Sequence, residues 1–68
     1  MEVTIELEQE IDGRWLAEVE SMPGVLRYGR TRDEALSRVK ALALRVIAER
    51  LEQGEIGGAV ATIDFLVP

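Results

Sequence analysis

The stretch SMPGVLRYGRTRDEALSRV, residues 21–39, decides the fold. Met22-Pro23-Gly24-Val25 reads as a tight turn: Pro23 fixes φ at the first central position and Gly24 supplies positive φ at the second. Residues 25–28, VLRY, then form a short edge strand that Gly29 ends. Thr31-Arg32-Asp33-Glu34 is a capping box, in which the Thr31 oxygen accepts from the Glu34 amide and the Glu34 carboxylate reaches back to the Thr31 amide. Asp33 and Glu34 also suit the positive end of a helix. A turn, an edge strand and a helix start follow one another within nineteen residues.

Downstream, the apolar spacing predicts a helix over about 32–53. Leu36, Val39, Ala43, Val46 and Ile47 form its core stripe, flanked by Ala35 and Leu42, and Gly54 is a stop signal. The apolar arc is wider than one sheet face needs. Leu44, Ala48 and Leu51 extend it to one side, where a contact with another copy of the chain is expected. After the loop at 55–58, residues 59–67, AVATIDFLV, read as a last strand with Ala61, Ile63, Phe65 and Val67 inward.

Upstream, residues 2–10 alternate strictly, with Val3, Ile5 and Leu7 opposed to Thr4, Glu6, Glu8 and Glu10. Residues 14–20 alternate too, with Trp15, Ala17 and Val19 on one face and Arg14, Leu16, Glu18 and Glu20 on the other. A two-residue turn at Asp12-Gly13 would pair Leu7 with Glu18 and scatter the apolar sets. A three-residue loop, Ile11-Asp12-Gly13 with Gly13 left-handed, pairs Leu7 with Ala17 and keeps one apolar face. Trp15 is then a core anchor under the helix. That register puts Glu6 opposite Glu18, with Glu8 and Glu20 alongside, so the other face of the hairpin is acidic and fits a basic partner.

The order strand, strand, strand, helix, strand, with a right-handed crossover into the last strand, predicts a single α+β domain over residues 1–68. Its sheet is open, four-stranded and mostly antiparallel, with one helix on the apolar face. A domain this small has little core to stabilise it. Without Cys or His for disulfides or zinc, self-association is the support left, and a homo-oligomer is expected.

Net charge is −5 and unevenly spread: −6 over residues 1–22, +4 over residues 23–48 and −3 over residues 49–68. This balance argues against autonomous binding to nucleic acid. Arg27, Arg30, Arg32 and Arg38, near Tyr28, are expected to pair with acids of a neighbouring subunit or stay solvated. No leader pattern opens the chain and no apolar run spans a bilayer, so a cytoplasmic protein is expected.

The residues point away from an enzyme. Glu6, Glu8, Glu18 and Asp64 are the acids a metal-dependent nuclease would draw on, but they alternate along an exposed face instead of converging. Ser21, Ser37, Thr4, Thr31 and Thr62 have no His to activate them, and Gly57-Gly58 is a plain linker rather than a phosphate loop. No catalytic, cofactor-binding or metal-ligating residue is assigned.

Taken together, residues 12–43, DGRWLAEVESMPGVLRYGRTRDEALSRVKALA, resemble the HicB-like antitoxin family. The features that carry the resemblance are Asp12-Gly13 at the hairpin, Trp15 opening a strand, Pro23-Gly24, Gly29 and Thr31, and Glu34-Ala35 opening the helix. The resemblance implies a partial ribonuclease-H-like fold with sheet order 3-2-1-4. It also implies an antitoxin that binds a small basic HicA-like RNA-cleaving toxin and masks its active site. Members of the family often carry a DNA-binding domain after this one. The sequence ends at Pro68 without one, so direct control of transcription is not expected. The competing expectation is a solitary homo-oligomer with a structural or regulatory role and no toxin.

Overall fold

The hairpin register sets the rest of the architecture. The computed structural model describes all 68 residues. It contains β1 (Glu2–Thr4), β2 (Glu6–Gln9), β3 (Trp15–Glu18), β4 (Leu26–Gly29), α1 (Arg32–Glu52) and β5 (Asp64–Leu66). Strands β2 and β3 pair antiparallel with Leu7 opposite Ala17 and Glu6 opposite Glu18, the register that the three-residue loop requires. The Glu10 amide donates to the Arg14 carbonyl at 2.7 Å, and the Gly13 amide to the Glu10 carbonyl at 2.9 Å. Gly13 has φ +92°. Asp12 fastens the loop by accepting from the Arg14 amide at 3.1 Å and from Arg14 Nε at 2.8 Å.

The second turn also forms as its residues dictate. The Val25 amide donates to the Met22 carbonyl at 3.0 Å across Pro23 and Gly24, and Gly24 has φ +86°. It returns the chain as β4, which pairs with β3 so that Trp15 faces Gly29 and Leu16 faces Tyr28.

The fold is α+β, with a three-stranded antiparallel sheet β2-β3-β4, a parallel pair β1-β5 and one helix. Residues 2–10, read as one strand, divide at Ile5 because the chain changes partner there, and pairing ends at Gln9. Its first half pairs with β5, Glu2 opposite Asp64, and its second half with β3. The Ile5 amide still donates to the Leu66 carbonyl at 2.8 Å, so hydrogen bonding runs through the division. The last strand is shorter than its alternation predicts. Only residues 64–66 are paired, because β1 offers three partners, and Ala61 is exposed rather than inward.

Helix α1 crosses β3 and β4 and buries Ala35, Leu36, Val39, Ala43 and Ile47 against Val3, Ile5, Ala17, Val19, Met22 and Val25. Trp15 is half-buried and packs at the edge of that core, as do Ile63, Phe65 and Val67. Gly29 is what lets the helix start so close to the sheet: a Cβ there would sit 2.9 Å from the Ala35 Cα and 3.0 Å from the Glu34 carbonyl carbon. The domain is elongated, 41 × 19 × 16 Å, because α1 alone is about 31 Å long. No helix is long and apolar enough to cross a membrane.

Candidate protein-docking face

With α1 on one side of the three-stranded sheet, alternation sends every second side chain to the other. Two cross-strand rows result. Glu6 of β2 faces Glu18 of β3, which faces Leu26 of β4; Glu8 faces Leu16, which faces Tyr28. The face is therefore graded. Acids lie on the β2 side and apolar groups on the β4 side, with Glu18 and Leu16 half-buried between them. Glu20 joins Glu2, Thr4, Glu6 and Ser21 around an adjoining open groove lined by no hydrophobic residue. Small-molecule sites are mostly apolar and enclosed, so this groove suits a cationic surface better than a buried ligand.

Four acids singled out in the sequence, Glu6, Glu8, Glu18 and Glu20, thus come together on one face. None of the four has an ion-pair partner within the chain, whose ion pairs involve only Asp12 and Glu34. Directly opposed like charges cost a few tenths to about 1 kcal/mol. A cation laid across Glu6 and Glu18 removes that repulsion as it binds. Arg14 stands beside this face; its guanidinium lies 4.5 Å from the Tyr28 ring centroid and is also held by Asp12. That contact with Arg14 keeps Asp12 below the usual carboxylate range, chiefly through the hydrogen bond from the Arg14 amide.

Reasoning from the sequence put Leu16 on this face but missed Glu2 and the apolar strip that Leu16 forms with Leu26 and Tyr28. Leu26 and Tyr28 could have been found by carrying the hairpin register one strand further, because Leu16 and Tyr28 are direct neighbours across β3 and β4. Ile11, at the hairpin tip beside the same face, is fully exposed and would be a natural apolar anchor. No three acids are grouped so as to hold a metal ion.

Two of the four arginines find an acid within the chain, and both stay largely exposed. Arg30 and Arg38 do not wait for a neighbouring subunit: both pair with Glu34 of their own chain, at 3.5 and 3.2 Å. The capping box is altered accordingly. Thr31 Oγ1 accepts from the Glu34 amide at 3.0 Å, as predicted, but the Glu34 carboxylate accepts from the Arg30 amide at 3.1 Å and not from Thr31. Two arginines draw the carboxylate one residue further back. The Arg30 amide, and then the charges of Arg38 and Arg30, hold Glu34 below the usual carboxylate range against an opposing desolvation effect. Arg38 Nη1 also donates to the Tyr28 carbonyl at 3.0 Å, tying α1 to the open edge of β4. The motif residues Gly13, Pro23, Gly24, Gly29, Thr31 and Glu34 all act in turns, the close helix approach or the cap.

On the helix, Leu44, Ala48 and Leu51 are exposed, on a face turned away from the sheet. No protein-family model, curated protein or solved structure matches this chain.

Proposed function

We propose that this chain is a binding protein of the HicB-like antitoxin type, acting in the cytoplasm. In this reading it engages a small basic HicA-like toxin and neutralises it by covering its RNA-cleaving site, with no catalytic step of its own. One observation carries the reading: the free face of the sheet sets unpaired Glu6, Glu8, Glu18 and Glu20 beside the apolar strip Leu16, Leu26 and Tyr28. Charge would steer a basic partner in and the apolar strip would supply contact that resists dissociation. The resemblance in the turns and helix cap supports the same reading. In it, β1 and β2 are a single strand, and the two sheets form one four-stranded sheet of order 3-2-1-4 with a partial ribonuclease-H-like layout.

Native mass spectrometry of the protein drawn gently from its own cell lysate tests this. The expected result is a complex with a small basic protein that dissociates as salt rises and is lost in a Glu6→Lys, Glu18→Lys double variant. Growth rescue on co-expression with that basic protein then identifies it as a toxin. A homo-oligomer alone, across growth conditions, supports the second reading, a solitary oligomeric protein, which the exposed apolar face of α1 favours.

A further inference from the structure

The outward face of α1 carries Ala41, Leu44, Ala48 and Leu51, all exposed, with Leu44 at 44% and Leu51 at 40%. Their spacing, three then four then three, is that of a coiled-coil seam, and it spans about 15 Å of helix axis. Along one flank of this seam run Arg38 and Arg45 and then Glu49 and Glu52, basic toward the start of the helix and acidic toward its end. Arg45, Glu49 and Glu52 have no ion-pair partner in the chain.

We propose that two copies of this chain pair through α1 in antiparallel orientation, with the two-fold axis passing between Leu44 and Ala48. Two independent features of the face select this arrangement. The first is packing: Leu44 meets the partner's Ala48 and Ala41 meets the partner's Leu51, so every layer sets a small residue against a large one. A parallel pair would stack Leu on Leu and Ala on Ala. The second is charge. Arg38 is already held by Glu34 and the Tyr28 carbonyl, but in the antiparallel register Arg45 lies within about two residues' rise of the partner's Glu49. The symmetry repeats the contact, giving two opposite-charge pairs. A parallel pair would put the two copies of this flank on opposite sides of the seam, where these charges do not meet. The seam is short, so the interface falls at the small end of stable protein contacts and the dimer dissociates on dilution. The pairing does not rest on the antitoxin reading, since the acidic face lies on the opposite side of the domain and remains open in the dimer.

The chain has no cysteine, so introduced thiols report the geometry directly. The expected result is that Ala41→Cys chains mixed with Leu51→Cys chains oxidise to a mixed disulfide dimer. Leu51→Cys alone should not self-link, because its two copies stand about 15 Å apart along the axis. Self-linking of Leu51→Cys as readily as the mixture overturns the orientation. A monomer in sedimentation at the highest soluble concentration overturns the dimer. Leu44→Glu is expected to sediment as a monomer with unchanged circular dichroism. Arg45→Glu is expected to weaken the dimer on the order of tenfold, with Glu49→Arg in the same chain restoring it. Failure of that restoration overturns the charge register.

Discussion

Gly29→Ala offers the sharpest probe of how the sheet and helix are joined. The added Cβ would collide with the backbone amide of Ala35 and sit 2.9 Å from its Cα and 3.0 Å from the Glu34 carbonyl carbon. All three atoms belong to helix backbone, so no rotamer change makes room. Either α1 lifts from β4, straining the Arg38 contact to Tyr28 and the Glu34 contact to Arg30, or β4 twists away. Overpacking costs about 1–3 kcal/mol, and a backbone obstacle belongs at the upper end. Replacing glycine within a strand recovers roughly 0.5–1 kcal/mol. The net loss is then about 2 kcal/mol, which for a domain of this size lowers the melting temperature by roughly 10–15 °C. Thermal unfolding followed by circular dichroism at one fixed protein concentration measures it. Gly57→Ala is the control, because no atom lies within 4 Å of a Cβ there and its φ is not positive. If Gly29→Ala melts within about 2 °C of the parent, the close approach does not govern the junction and the reasoning fails.

Three further outcomes are expected. Thr31→Ala removes the oxygen that accepts from the Glu34 amide and should cost about 1 kcal/mol in urea unfolding, while Thr31→Ser retains most of it. Because Glu34 has a lowered folded-state pKa, its contribution is complete above the ordinary glutamate value of 4.5 and is lost as pH falls through the lower folded-state value. The melting temperature of Glu34→Gln should therefore fall less than that of the parent across this acid range, and equal slopes would refute it. Glu18→Gln relieves the opposed Glu6–Glu18 pair and should raise stability by about 0.2–1 kcal/mol, read as a higher urea midpoint. If the midpoint drops instead, the acidic face is not under repulsion.

Local chemistry was legible in the sequence wherever one residue type has few alternatives. Pro23-Gly24, Gly13 and Thr31 dictated their turns and cap, and the need for one apolar face chose the register of Leu7 against Ala17. The core stripe of α1 was readable for the same reason. What escaped depended on partners distant in sequence. The length of β5 is set by how many residues β1 offers it, which the alternation of 59–67 does not encode. The shift of the Glu34 carboxylate to the Arg30 amide reflects competition among three neighbours, a contest that the capping-box pattern omits. For the docking face, the acids alternate visibly within each strand. The apolar half is visible only across strands, because Leu16 and Tyr28 are twelve residues apart and meet through the ladder.

The pairing of β1 with β5 has a kinetic consequence. Hairpins β2-β3 and β3-β4 and the packing of α1 close over short sequence distances, whereas Glu2 and Asp64 come from opposite ends of the chain. Closing that long loop is entropically the slowest step, so it follows the rest of folding. A three-residue strand with one half-buried residue also resists opening least, and hydrogen exchange is expected to be fastest there among the strands. Each time β5 lets go, the backbone of residues 2–5 is uncovered as a free parallel edge, ready to accept a strand from another chain. The concentration of competing strands in the cell would thus set how often the domain recloses on itself.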